Sequence, residues 1–282
     1  MKVIPFVKYH GLGNDWLIAR EGDVPPALPE FVRGILERHT GVGADGLIVV
    51  MKPQSRAHDA RVRFFNMDGS EAEMSGNGIR CAAAFLVERK PQKRSFEIET
   101  LAGVKALKKR KAAPGEGSFR VRMGAPILDP ALIPFEPRDT AFPVLRYPLK
   151  TRQGNVAVTV TSMGNPHCTV FVPDFDKVDW PHLGQEIEVN EHFPHRTNVE
   201  FVRLVARDEI EVRFWERGVG HTLSSGTGSC GAAVAAILNG LTDRRVRVST
   251  QAGKLEVAWP KGGEVSLTGP VQKVMEGKYI AG

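Results

Sequence analysis

The stretch Arg63-Phe64-Phe65-Asn66, followed by Ser75-Gly76-Asn77-Gly78, returns later as Arg213-Phe214-Trp215-Glu216 followed by Ser225-Gly226-Thr227-Gly228, an offset of 150 from 63 to 213. The same offset carries Ala82-Ala83 onto Ala232-Ala233 and Thr100-Leu101-Ala102-Gly103 onto Thr250-Gln251-Ala252-Gly253. Gly13-Asn14 is echoed by Gly164-Asn165 at 151. Coincidental glycine turns would not keep one spacing over so many landmarks, so the chain reads as two copies of one domain. The boundaries expected are 1–123 together with a returning segment 268–282 for the first copy, and 124–267 for the second.

Each copy reads as strand, glycine-rich turn, helix and hairpin. Residues Arg61 to Asn66 and Glu209 to Glu216 alternate apolar and polar side chains as strands do. Ile79 to Val87 and Ser229 to Leu238 are Ala-rich, and small side chains let a helix be surrounded closely on all sides, which predicts a helix inside a core. Phe96 to Thr100 and Val246 to Thr250 are rich in β-branched residues, and Ala-Gly turns each into a further strand. Met123-Gly124-Ala125-Pro126, with three more prolines up to Pro137, reads as the crossover between the copies.

Composition narrows the class. The chain has 282 residues, 42% hydrophobic and 25% charged, close to ordinary globular proteins and unlike disordered or collagen-like ones. No apolar run approaches the ~18 residues of a membrane span, and the early Pro5 and Lys8 interrupt what a signal peptide would need; a cytoplasmic protein is expected. Cys81, Cys168 and Cys230 are odd in number and form no C-x-x-C pair, which signals neither a disulfide framework nor zinc. The net charge of +6 is concentrated around Lys105, Lys108, Lys109, Arg110 and Lys111; without interleaved aromatics this reads as a solvated surface and not a nucleic-acid footprint.

Ser75 and Ser225 stand at N-cap positions, where a side-chain oxygen accepts from an unpaired backbone N–H. Capping is one reading of both. The other is that a glycine-rich turn opening a helix offers several N–H groups and a positive dipole end to a carboxylate or phosphate. No Lys-Ser/Thr follows the glycines, so a P-loop is excluded; the spacing and the absence of a βαβ unit argue against a dinucleotide fingerprint. Two such turns, facing one another across a pseudo-twofold axis, would grip one small anion.

Asn66-Met67-Asp68-Gly69-Ser70-Glu71, Gly76-Asn77-Gly78-Ile79-Arg80-Cys81, Lys8-Tyr9-His10-Gly11-Leu12-Gly13-Asn14-Asp15, Gly164-Asn165-Pro166-His167, Arg196-Thr197-Asn198-Val199 and Glu216-Arg217-Gly218 together resemble diaminopimelate epimerase, in order from residue 8 to about 240. The resemblance implies an α/β (α+β) fold of two pseudo-symmetric domains, each an antiparallel sheet wrapped around a central helix, with the active site in the cleft. It implies cofactor-free conversion of LL- to meso-diaminopimelate by two bases on opposite faces of Cα, in lysine and cell-wall precursor synthesis. In that family both bases are cysteines at the start of the two turns; here the positions hold Ser75 and Ser225. A free thiol titrates near ~8.5 and is a few per cent thiolate at neutral pH, whereas a serine hydroxyl needs a neighbouring base. His167 and Glu216 match the residues that support the two thiols.

The remaining cysteines do not replace them. Cys81 and Cys230 lie roughly 7 to 9 Å up each helix at 1.5 Å per residue and read as buried packing residues. His221 stands where the family usually has Glu, and Gly46 where some members carry a substrate-contacting amide. By the same resemblance the backbone N–H groups of Gly76, Asn77, Gly226 and Thr227 take an α-carboxylate, Glu216 with Asn14, Asn66, Asn165 and Asn198 fixes the amino groups, and Arg217 meets the distal carboxylate. No metal, nicotinamide or pyridoxal phosphate is expected; the expected partner is the amino-acid substrate, with no nucleic acid or membrane and with a homodimer allowed. Two other readings stay open: a catalytically silent amino-acid-binding homologue, and a one-base isomerase or dehydratase of the same fold.

Overall fold

Alternating side chains fix the strands here. In the computed structural model, which describes residues 2–111, 116–136 and 142–281, Ala60–Asn66 forms a strand that buries Val62 and Phe64 on one face. Its repeat counterpart Glu209–Glu216 buries Ile210, Val212 and Phe214 in the same rhythm. Pro137 lies outside the described residues.

The chain divides into two compact units, Met1–Arg122 with Thr268–Gly282, and Met123–Leu267. Unit 1 runs β1 (Lys2–Gly11), β2 (Asn14–Arg20), α1 (Leu28–Leu36), β3 (Gly46–Met51), β4 (Ala60–Asn66), β5 (Glu71–Ala72), α2 (Gly76–Arg89), β6 (Ser95–Thr100), β7 (Gly103–Arg110) and β8 (Gly117–Gly124). Strand β1 pairs antiparallel with β2, β2 parallel with β3, β3 antiparallel with β4, β4 parallel with β6, and β6 antiparallel with β7.

Unit 2 opens with β9 (Tyr147–Thr151) and then repeats that order as β10 (Gly154–Ser162), β11 (Pro166–Phe171), α3 (Trp180–Glu188), β12 (Asn198–Ala206), β13 (Glu209–Glu216), β14 (Gly220–Thr222), α4 (Gly226–Leu238), β15 (Arg245–Thr250) and β16 (Gly253–Ala258). Its pairings repeat too: β10 antiparallel to β11, β11 parallel to β12, β12 antiparallel to β13, β13 parallel to β15, β15 antiparallel to β16. The last strand, β17 (Val265–Ala281), returns to pair antiparallel with β1, Lys2 opposite Ala281 and Lys8 opposite Met275. The sheets are therefore mixed, predominantly antiparallel, with parallel steps where a helix makes the crossover.

Helix α4 is buried almost throughout, from Gly226 to Ile237 apart from Thr227, and α2 is buried over Asn77 to Ala83 and again at Phe85 and Leu86. Both begin three residues earlier than the Ala-rich runs suggest, because the glycines already have helical geometry. In unit 2, Cys168, Val170, Val199 and Phe201 pack with Leu183 and Ile187 of α3; with a period of two, His167 and Glu200 point to the opposite face, under α4. None of the three cysteines is in a disulfide, and all are buried. Among the described residues no helix is long and apolar enough to cross a membrane.

Candidate functional site

Both serines cap their helices. Ser75 Oγ accepts from Gly78 N at 3.0 Å and Ser225 Oγ from Gly228 N at 3.2 Å, each satisfying one orphan donor of the first turn. The second glycine of each turn lets the helix come close to its strand. A Cβ at Gly78 would lie 2.9 Å from the Phe64 ring, and one at Gly228 would lie 3.0 Å from Phe214.

Around Ser225 the chemistry is acidic. Its hydroxyl donates to Glu216 Oε2 at 2.8 Å, and Thr222 Oγ1 donates to Glu216 Oε1 at 2.6 Å. Glu216 is at the end of β13, so the strand sets its carboxylate beside the helix cap. Arg217 N donates to Asn198 Oδ1 at 3.0 Å while Asn198 Nδ2 donates to Pro166 O at 2.8 Å. Asn198 thus fastens the Glu216-Arg217 turn to β11, and the exposed Arg217 guanidinium meets His195 O at 3.2 Å.

His167 is fully buried, with Nδ1 2.7 Å from Glu200 Oε1 and Nε2 3.0 Å from Asn165 Oδ1. Asn165 Nδ2 in turn donates to Thr227 Oγ1 at 3.4 Å. Both ring nitrogens are therefore occupied within unit 2, and His167 acts on the α4 turn through Asn165. Burial pushes the Glu200 carboxyl up against the pull of His167, and the charge of Glu216 adds to the rise.

The corresponding turn in unit 1 is basic. Arg80, fully buried, donates from Nη1 to Gly76 O at 2.8 Å and from Nη2 to Asn77 Oδ1 at 2.6 Å. The guanidinium fixes the first turn of α2. At the repeat offset, Arg80 corresponds to Cys230 in α4, so a permanent charge in one helix is matched by a neutral side chain in the other. The Asn14 amide is engaged at both ends, accepting from Trp16 Nε1 at 2.6 Å and donating to Asp45 Oδ2 at 2.9 Å.

Behind Asn14 two carboxyls accept from each other's backbone, Asp15 N donating to Asp45 Oδ2 at 3.1 Å and Asp45 N to Asp15 Oδ1 at 2.9 Å. Burial pushes Asp15 up, but Lys8, the Asp45 N–H and Arg38 outweigh it and hold its carboxyl below the usual range, whereas burial and the charge of Asp15 raise Asp45. Asn66 donates to Ser70 Oγ at 3.0 Å within its own turn. Gly46 is closed to any side chain, since a Cβ would lie 2.3 Å from the Trp16 ring. His221, exposed, bonds Gln251 Oε1 at 2.7 Å and meets the Trp180 ring edge-on at 5.0 Å between centroids.

Sequence reasoning missed Thr222, Glu200 and Arg80. A lone Glu within the apolar stretch Val199 to Val202 was the available signal for Glu200, because a fully buried carboxylate needs a partner. Among the described residues no group of three or more His, Cys, Asp or Glu could hold a metal ion.

A sequence model of the family described as diaminopimelate epimerase matches residues 6–128 and 159–274. The diaminopimelate epimerase of Pelotomaculum thermopropionicum is 44% identical over 278 residues, covering 97% of this chain and 98% of that protein. That of Desulforudis audaxviator is 44% identical over 280 residues, covering 98% and 99%. Among solved structures, a phenazine biosynthesis protein of the PhzF family from Bacillus anthracis superposes with a TM-score of 0.70 at 20% identity over 100% of both chains. A hydroxyproline epimerase from Agrobacterium vitis superposes with 0.69 at 14%, covering 98% of this chain and 92% of that one. At these identities the two structures speak for the fold alone.

Proposed function

The chain belongs to the diaminopimelate epimerase family, and from that premise we propose that it interconverts LL- and meso-diaminopimelate without a cofactor, in lysine and cell-wall precursor synthesis in the cytoplasm. The observation that carries the reading is the Ser225 hydroxyl, which donates to Glu216 while it accepts from the first turn of α4. A serine hydroxyl is far too weak an acid to act alone, and an adjacent carboxylate supplies the missing acceptor.

In the proposed step, Ser225 Oγ takes the Cα proton as its own hydroxyl proton passes to Glu216. The C–H electron pair moves into the carbon bearing the carboxylate and is delocalised onto its oxygens. Ser75 delivers its hydroxyl proton to the other face of that carbon. The Ser75 oxyanion left behind is met by Gly78 N–H and by the positive end of α2, beside which Arg80 is buried; exchange with water restores both residues. Backbone N–H groups of Gly76, Asn77, Gly226 and Thr227 supply donors for the α-carboxylate, and Arg217 for the distal one.

One observation favours a second reading. The hydrogen-bond partner of Ser75 Oγ is a donor, Gly78 N, and not a base, which suits a catalytically silent protein that binds the amino acid. Incubation with LL-diaminopimelate in deuterium oxide decides between them. Deuterium at Cα together with meso product supports the epimerase; calorimetric binding with neither supports the silent protein.

A further inference from the structure

We propose that Glu188, the last residue of α3, is a positioning residue whose carboxylate clamps the turn between β13 and β14 from behind and so sets where Glu216 and Arg217 stand. The clamp itself is independent of any ligand; its effect on diaminopimelate affinity rests on the function proposed above.

Both oxygens of Glu188 are used. Oε2 accepts from Trp215 Nε1 and Oε1 from Gly218 N, each at 2.8 Å. The two donors stand one residue before Glu216 and one residue after Arg217, so a single carboxylate, 6% exposed, holds the pair at both ends. An indole N–H and a backbone N–H can only donate, so both oxygens must accept, which a carboxylate does and an amide cannot. The exposed Arg196 guanidinium lies 3.6 Å from Oε1. The backbone of Glu188 takes part as well: its carbonyl accepts from Thr197 N at 3.2 Å, one residue before Asn198, whose Oδ1 receives Arg217 N. The N–H groups of Arg217 and Gly218 are thus each tied to a side chain outside the turn, while Val219 N closes it on Glu216 O at 3.0 Å.

Alternation along β13 explains why a grip on the back of the strand sets its front. Trp215 packs on the α3 side with Leu183, Ile187, Val199 and Phe201. Its neighbours Phe214 and Glu216 therefore point to the other face, where Phe214 meets Gly228 of α4 and Glu216 receives the Ser225 hydroxyl. Glycines make room for the indole. A Cβ at Gly184 would lie 2.8 Å from Trp215 Cβ and 2.9 Å from Cγ, and one at Gly220 would lie 3.6 Å from the ring. The indole is thereby seated against α3 and β14, with its N–H on Glu188.

The repeat supports the clamp independently. Helices α1 and α3 are both nine residues long with proline second, which carries Leu36 onto Glu188 and Val32 onto Gly184, while the offset of the strands carries Phe65 onto Trp215. In unit 1 Val32, Leu36 and Phe65 belong to one buried apolar cluster. All three differ together in unit 2: the ring gains a donor, the side chain facing it gains an acceptor, and the helix residue under the larger ring shrinks to glycine. The matching turn of unit 1 has Asn66 and Met67 in place of Glu216 and Arg217, and there Arg33 Nη1 donates to Asp68 O at 3.3 Å. The carboxylate clamp belongs to the unit whose turn presents a carboxylate and a guanidinium.

Hydrogen exchange of the full chain, followed in proton–nitrogen spectra, tests the clamp directly. The Trp215 indole is identified by its loss in Trp215→Phe, and it and the Gly218 amide should both be protected in the unmodified chain. Glu188→Gln keeps the size of the side chain but turns an NH2 group on one of the two donors, which should then exchange about tenfold faster or more. In Glu188→Gln/Trp215→Phe the amide oxygen is left to Gly218 alone, and Gly218 should be protected. By calorimetry Glu188→Gln should bind diaminopimelate about tenfold more weakly, the size of one charge-assisted hydrogen bond, yet cost no more than about twofold in an Arg217→Ala chain, because the loss runs through the turn. Rapid exchange at either donor in the unmodified chain overturns the clamp even if Glu188→Gln fails to fold, and so does an unprotected Gly218 in the double variant. Unchanged exchange in Glu188→Gln overturns it too, and equal losses of affinity with and without Arg217 overturn the positioning role. Failure of the unmodified chain to bind diaminopimelate, with both donors protected, counts against the epimerase reading and not against the clamp.

Discussion

The hydroxyl of Ser225 donates to the carboxylate of Glu216 across 2.8 Å, whereas among the described residues Ser75 has no carboxylate in that place. The two positions at which the family's bases are expected therefore share a backbone donor and differ in the acceptor that only Ser225 has among the described residues.

Restoring thiols should expose how much the hydroxyls limit the rate. Ser75→Cys/Ser225→Cys together should raise Cα deuterium incorporation and epimerisation by about a hundredfold or more, since general-base efficiency falls as a group's pKa leaves the working range. Either substitution alone should recover little, because inversion needs an acid and a base at once. Equal rates for the unmodified and doubly substituted chains would remove both serines from proton transfer.

Thiol titration checks the burial that makes the native cysteines chemically silent. Burial pushes the Cys81 thiol up to about 12, and it raises Cys168 well above its ordinary value. The folded chain should therefore give no rapid reaction with a thiol reagent at pH 8, and three equivalents after unfolding. Ser75→Cys should add one fast-reacting thiol, favoured by its helix N-terminus.

Gly231→Ala tests the seat of His167. The new methyl would stand 2.9 to 3.3 Å from three atoms of the imidazole side chain, an overpacking that should cost about 1–3 kcal/mol in denaturant unfolding. Gly22→Ala, which meets nothing within 4 Å, is the control. Matching midpoints for the two variants would show that the ring has room to move.

Glu99 should make one loop sensitive to acid. Its carboxyl accepts from Gln54 N and Ser55 N at 2.9 Å and faces His58 Nδ1 at 2.7 Å, and these contacts, the backbone donors first, hold it down to about 2. A carboxyl held lower in the folded chain stabilises it fully above the ordinary value of 4.5 and loses that contribution as pH falls toward about 2. Hydrogen exchange at Gln54 and Ser55 should therefore accelerate across that interval, and Glu99→Gln should abolish the step.

The repeat was legible because it is written in local patterns. Strands such as Ala60–Asn66 and Glu209–Glu216 announce themselves by alternation, and Ser75 and Ser225 by their place before glycine. What was not legible depends on how the strands pair and turn back on one another. Nothing near Asn14 says that Trp16 and Asp45 take both ends of its amide, and nothing near His167 says that a glutamate on a parallel neighbour strand lies beneath it. Likewise Thr222 reaches Glu216 only because β14 folds back on β13.

The replacement of Arg80 by Cys230 at equivalent positions sets a limit on simplifying this protein. A designer might try to shorten it into a symmetric assembly of one half used twice. On the mechanism proposed above, two second halves would carry two carboxylate-backed hydroxyls and a neutral Cys230 at both positions equivalent to Arg80, with no buried guanidinium in the first turn to steady the oxyanion left after protonation. Two first halves would have the reverse deficiency, two cationic turns and no carboxylate to receive a proton. If the proposed mechanism holds, the working unit is the unlike pair, and any half-length version must first be given back the charge that its twin supplied.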